Sequence, residues 1–276
     1  MKTSRVLRVG ILCAVALFML VPLYLLVINA FKSQQDILAD PFGMSWGSLS
    51  LQYLWNAITS PTFNVIGGYA VTIFFVVCVG VLSLIVTVPA AYVIARGTRP
   101  RHRVVLLVML AGLFIPSQVL VIPVIYVLRT IGLMGTVPGF LLFETTLTIP
   151  ISLFLFTGFI QSIPRELDEA GKIDGAGRWR VLGTVILPLM RPAIATVVVL
   201  NAVGVWADFV NPEIILGPAS GIYTVTTGVY AAISQYSTNF TLVYPNLLLA
   251  ITPIFVFFIF MQRQVIGGLT AGALKG

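Results

Sequence analysis

Residues 164–176, Pro-Arg-Glu-Leu-Asp-Glu-Ala-Gly-Lys-Ile-Asp-Gly-Ala, gather carboxylates and glycines in the middle of a chain that is otherwise mostly apolar. Charged side chains beside small ones offer ion pairing and close backbone approach, which is the chemistry of docking to a soluble partner. Catalysis requires something else: a nucleophile, a base or a metal constellation. The single histidine, His102, lies among arginines in a short loop where solvation is the default, and Cys13 and Cys78 fall inside apolar runs as small buried residues. There is no His-Glu-x-x-His and no Cys/His cluster in the sequence. Gly171-Lys172 is followed by Ile173 where a phosphate-binding loop needs Ser or Thr, and Gly175-Ala176-Gly177 has Arg180 in the third-glycine place of a dinucleotide fingerprint. The chain is read as a non-enzyme that binds no cofactor or metal of its own.

The elements that position this segment follow from composition. Hydrophobic residues make up 58% of the 276 and charged ones only 9%, against roughly 25% charged in an average soluble domain. A membrane span needs about 20 apolar residues, because a helix rises about 1.5 Å per residue through a core roughly 30 Å thick. Six stretches qualify: Val9 to Ala30, Gly67 to Ala95, Val104 to Leu128, Gly139 to Ile160, Ala193 to Val210 extending toward Leu216, and Leu242 to Met261. They lack the period-2 alternation of a membrane barrel, so all six are expected to be helices of an all-α integral membrane protein. Lys2, Arg5 and Arg8 precede an apolar run too long for a signal peptide and without a small-x-small cleavage site, so a retained first helix is expected.

Lys and Arg accumulate in cytoplasmic loops. With both termini inside, the cytoplasmic segments hold every lysine and arginine except Lys32 and Arg129. The formal charge of +7 is thus a topology signal rather than a sign of nucleic-acid binding. The expected location is the cytoplasmic (inner) membrane, multi-pass, in contact with lipid.

Gln161 to Pro192 reads as two short helices about a sharp turn. Ser162 is the expected N-cap, Pro164 suits the first turn, and Glu166, Asp168 and Glu169 place negative charge where the helix dipole favours it. Asp174-Gly175 breaks the helix, with Gly175 free to turn left-handed. A second helix starts near Gly177 and shows Trp179, Leu182, Val185 and Ile186 on one apolar face. Periodicity alone leaves two readings open, a docking loop and an interfacial hairpin that joins two spans.

Glu169-Ala170-Gly171, then Asp174-Gly175-Ala176, then Leu187-Pro188 resembles the Glu-Ala-Ala loop of permease subunits in binding-protein-dependent ABC importers. Gly171 departs from the usual second alanine and Gly177 from the usual Ser or Thr. Pro22-Leu23-Tyr24, Trp206-Ala207-Asp208-Phe209 and the tail Gly268 to Gly276 resemble the smaller permease of maltose-type carbohydrate systems, so the resemblance covers nearly the whole chain. It implies the type I ABC importer permease fold and a sugar translocated by alternating access, driven by ATP and Mg held on partner subunits. The implied partners are a second homologous permease, two ATP-binding subunits and an extracytoplasmic sugar-binding protein. It implies an ATPase-coupling interface at Glu166, Glu169, Ala170, Gly171, Asp174, Gly175, Ala176, Arg178 and Trp179, and tail contacts with the ATPase through Thr270, Gly272 and Lys275. The expected organisation is a first helix and extracytoplasmic loop over 1–66, a permease core over 67–262 with the coupling loop at 161–192, and a cytoplasmic tail over 263–276.

The translocation path is sought at Gln118, Asn201, Trp206 and Asp208, polar or aromatic groups at membrane depth. For Gln118 and Asn201, hydrogen bonding between helices is the favoured alternative. Glu144 and Asp208 are expected near the outer ends of their spans, in contact with solvent. Outside the membrane, Trp46, Tyr53 and Trp55 are expected interfacial anchors and Leu49 to Ile58 a short surface helix. Glycerol phosphate or another non-sugar solute stays open as the cargo. A secondary transporter is the distant alternative, and it calls for internal repeats or ionisable groups near the midplane, neither of which stands out.

Overall fold

A computed structural model of the chain describes the backbone of residues 2–44, 49–61, 63–235 and 239–273 and the side chains of residues 7–44, 49–61, 63–233 and 239–262. Every regular element among these residues is helical, the arrangement that satisfies backbone polar groups inside a bilayer without neighbours. The first part of the chain forms α1 (Lys2–Asn29), α2 (Gln34–Ala39), α3 (Gln52–Ile58), α4 (Val65–Arg96), α5 (Pro100–Ala111) and α6 (Ser117–Thr130). There follow α7 (Val137–Ser162), α8 (Glu166–Ile173), α9 (Arg178–Val181), α10 (Leu187–Leu189), α11 (Arg191–Ala207), α12 (Val210–Ile215), α13 (Val225–Gln235) and α14 (Phe240–Ala273).

Four helices are long and apolar enough to cross a membrane unbroken: α1, α4, α7 and α14. The third expected span is broken instead, and the fifth is preceded by a sharp bend just ahead of Ala193. The third bends by 104° between α5 and α6, and the fifth by 77° at the entry to α11, so the spans number six when each bent pair is one crossing. Proline accounts for the first break. Pro116 holds Ile115 extended (φ −95°, ψ 112°) after a 3-10 turn at Gly112–Phe114, because the residue before a proline is driven out of the helical region. Pro192 stands in the first turn of α11 next to the break, where its missing N–H costs nothing. The fifth span also stops at Ala207, three residues short of the expected Val210, because Asp208 turns extended (φ −70°, ψ 127°).

Residues 1–68 with 227–253 form one compact unit, and 69–226 with 254–276 another. In the first, α3 matches the expected surface helix and leaves Trp55 61% exposed; Trp46 lies outside the described residues. Lys32 is fully buried and its ammonium donates to the Asp40 carbonyl at 2.9 Å.

The second unit carries two apolar cores. One joins Val88, Ala91, Tyr92 and Ala95 of α4 to Leu153, Phe156 and Ile160 of α7 and to Val181, Ile186, Met190 and Val197. The other joins Phe75 and Val79 of α4 to Phe140 and Phe143 of α7, Val205 of α11 and Ile215 of α12, with the Phe75 and Phe140 rings 4.6 Å apart. Along α4 a buried polar layer separates them: Thr148 Oγ1 donates to Ser83 Oγ at 2.9 Å, and Asn201 Nδ2 donates to the same oxygen at 3.3 Å. Three helices are thereby pinned to one another at a single level.

Candidate functional site

The segment after α7 is built as a turn between two short helices. Ile163 is extended ahead of Pro164, which ends α7. Ser162 does not cap α8; its hydroxyl donates to the Phe159 carbonyl at 2.7 Å, and Arg165 takes the N-cap position. Side-chain capping is lost, yet Glu166, Asp168 and Glu169 still occupy the first turn and Lys172 the last, in the sense the helix dipole favours. The C-terminus is a complete Schellman motif. Gly175 is left-handed (φ +78°), its N–H donates to Lys172 O at 3.0 Å, and the Ala176 N–H donates to Gly171 O at 2.9 Å. Gly177 then caps α9 in an extended conformation, as expected from its place after the turn.

Gly171, the departure from the usual alanine, has a packing cause. A Cβ there would stand 2.8 Å from Val181 Cγ2, a side chain only 1% exposed, so the glycine lets α8 lie directly on α9. The face expected on the second helix is partly rearranged. Val181, Leu182 and Ile186 are buried, while Trp179 is 62% exposed. A single π turn over Leu182–Ile186, closed by Leu187 N–H donating to Leu182 O, shifts the register between these positions.

Of the coupling residues read from the sequence, Glu166, Glu169, Ala170, Asp174, Gly175, Arg178 and Trp179 are exposed together on this loop, and Gly171 and Ala176 are half-buried beneath it. Two others were missed. Ile173 is 86% exposed at the end of α8, an apolar side chain with nothing to cover it within the chain. Asp168 is buried at 5% exposure; Tyr92 Oη donates to its Oδ1 at 2.7 Å, and Arg96 Nη2 lies 2.8 Å from its Oδ2. The signal for Asp168 was its spacing, three residues before the packed Gly171 and hence on the inner face of α8. Next to this pair a cavity of about 300 Å³ is lined by Arg96, Arg99, Arg101, His102 and Arg178.

The residues expected on the translocation path do not form one site. Gln118 is exposed in the first turn of α6. Asn201 is tied into the Ser83 layer, the bond between helices that was the favoured alternative. Trp206 is 8% exposed and stacks on Tyr69 with centroids 6.0 Å apart. Asp208 accepts from the Asn211 N–H at 3.3 Å, and Glu144 accepts from Asn211 Nδ2 at 3.3 Å. Glu144 is only 6% exposed, which corrects the expectation that it is solvated: the α11–α12 turn folds Asn211 over it. Thr270 and Gly272 lie on the helical backbone of α14 with side chains outside the described set, and Lys275 lies outside the described residues. No group of His, Cys, Asp and Glu able to hold a metal occurs among the described residues.

Comparison with known proteins places this geometry. Residues 87–265 match the family model described as "Binding-protein-dependent transport system inner membrane component". The chain is 30% identical over 268 residues to the multiple sugar-binding transport system permease protein MsmG of Streptococcus mutans, covering 94% of this chain and 93% of that protein. It is 29% identical over 265 residues to the diacetylchitobiose uptake system permease protein NgcG of Streptomyces coelicolor, covering 94% and 85%. In fold it is similar to a chain of a bacterial ABC transporter involved in the import of the acidic polysaccharide alginate, with a TM-score of 0.76 at 21% identity over 95% of this chain and 98% of that one.

Proposed function

Because this chain belongs to the family of binding-protein-dependent transport system inner membrane components, we propose that it is the permease subunit of an ATP-driven importer that carries a di- or oligosaccharide across the cytoplasmic membrane. The observation that carries the reading is the α8–α9 loop, where a Schellman turn at Gly175 and the packing of Gly171 on Val181 fix an exposed surface of Glu166, Glu169, Asp174, Ile173 and Trp179. An exposed isoleucine and tryptophan flanked by carboxylates is the composition of an interface, apolar at its centre and charged at its rim. Its occupant is a separate ATP-binding subunit, which holds the ATP and Mg. Closure of the ATPase pair moves the loop, and the spans attached to it alternate between inward-open and outward-open arrangements. The tail from Gly268 onward, including Thr270, Gly272 and Lys275, serves the same partner. A second permease subunit completes the path, and an extracytoplasmic binding protein delivers the sugar. The names of the sugar-system relatives support the cargo class.

Proteoliposomes containing the full complex test this directly. Uptake and ATP hydrolysis are expected to depend on the binding protein and to be stimulated by an oligosaccharide within a panel that also includes glycerol phosphates. Stimulation by the phosphates alone would replace the sugar. Solute uptake by this chain reconstituted without partners would overturn the importer and favour a secondary transporter.

A further inference from the structure

Within α8, one acidic residue differs from the rest. Glu166, Glu169 and Asp174 face out, whereas Asp168 points inward and reaches the end of α4. Its two partners stand on one face of that helix, four residues apart: Tyr92 and, as the last residue of α4, Arg96. With the Asp168 side chain 7% exposed and that of Arg96 14% exposed, this is an ion pair largely withdrawn from water. Breaking such a pair leaves a buried charge without compensation, which is strongly resisted. The other attachment of α8 is of a different kind: it runs through the hydrogen-bonded turn at Gly175 into α9 and packs Gly171 on Val181, which fixes the shape of the loop itself. Thus α8 is held to α9 by the turn and its apolar packing, and to α4 by the ion pair and the tyrosine hydroxyl.

We propose that Asp168, Arg96 and Tyr92 form the joint that makes α8 and the end of α4 move as one body, so that displacement of the loop is passed to the second span. The inference rests on the reading of the loop as an ATPase docking site. Seven residues before Arg96, Pro89 stands inside the continuous α4 and lacks the N–H for one intrahelical hydrogen bond. That gives the helix a place to flex between the moving end and the polar layer at Ser83. Asp168, Arg96 and Tyr92 are positioning residues in this scheme; they touch neither sugar nor nucleotide.

Two measurements separate the joint from a merely structural pair. In the reconstituted complex, Asp168→Asn and Arg96→Gln are expected to lower sugar transported per ATP hydrolysed by about tenfold while hydrolysis itself persists, Tyr92→Phe by roughly two- to threefold, and Asp168→Glu to restore most of the ratio. If the single variants fail to assemble with their partners, the double variant Arg96→Gln/Asp168→Asn, which buries no lone charge, answers the same question. An assembled variant that transports at the ratio of the unmodified complex overturns the proposal. The second measurement needs no activity. Spin labels at Lys172→Cys and Thr98→Cys, with Cys13→Ser and Cys78→Ser, should give a narrow distance distribution that Asp168→Asn broadens. An unbroadened distribution overturns the joint. Failure of the unmodified complex to couple ATP to uptake would instead remove the importer reading and leave the distance result standing on its own.

Discussion

At the scale of single residues, Gly175 decides whether the loop has its shape. Its φ of +78° lies in the left-handed region, yet a Cβ there meets nothing within 4 Å, so a larger residue is opposed by the backbone and not by crowding. Gly175→Val should cost about 1–2 kcal/mol or more locally, enough to displace Ile173 and Trp179 relative to Glu166 without affecting insertion of the spans. Transport and sugar-stimulated ATP hydrolysis are expected to fall sharply while the amount of chain in the membrane is unchanged; wild-type uptake by this variant would show that the turn is dispensable. This glycine was legible in the sequence because Asp-Gly after an acidic helix demands a C-terminal turn. For Asp168 the spacing to Gly171 gives the inward face but not the partners, since Tyr92 and Arg96 lie some seventy residues earlier in the chain and no local pattern links them to it. Ile173 was missed for the opposite reason. An isoleucine near apolar sequence looks like core, and only the finished packing shows that it is left outside.

At the scale of elements, hydropathy located four unbroken spans, and the bent helix pairs of the third and fifth stretches only without their bends. A window of apolar residues reports length and solvent, and both halves of a broken span satisfy it equally. For the third span the clue lay in individual residues, Pro116 behind Gly112. Pro116 blocks the helical conformation at Ile115, and Pro116→Ala lifts that restriction. The 104° bend between α5 and α6 is then expected to open. Labels at Val108→Cys and Val127→Cys, both exposed, would move apart toward the separation of about 28 Å that a straight helix gives for nineteen steps. A distance indistinguishable from that in the unmodified protein would place the cause of the bend in tertiary packing instead. The polar layer is a second element-scale feature that periodicity hides. Ser83, Thr148 and Asn201 are scattered over three helices, and only their common depth makes them one network.

At the scale of the whole molecule, the balance of charge and the exposed apolar surface set how the protein sits in its surroundings. Helix α1 buries only 6% of its most apolar window and leaves Phe18 79% exposed, so lipid or another membrane subunit must cover it. Orientation is set by arginines and lysines. The structure bears on one of the two that lie outside the cytoplasmic segments: Lys32 is fully buried, its ammonium held by the Asp40 carbonyl, so it serves packing and does not count against the pattern of basic loops. By the pattern of basic loops, the loop holding Arg99, Arg101 and Arg103 and the loop holding Lys172 and Arg178 are expected on the cytoplasmic side, and α3 and the α12–α13 connection on the outer side. In a background with Cys13→Ser and Cys78→Ser, an impermeant maleimide should reach Arg101→Cys and Lys172→Cys only from the cytoplasm, and Trp55→Cys and Ala219→Cys only from outside. These four positions are exposed in the chain, so a silent position is not explained by burial within it. The reverse pattern would put the α8–α9 loop outside, away from any ATP, and would remove the ATPase as its partner whatever the resemblance of its residues.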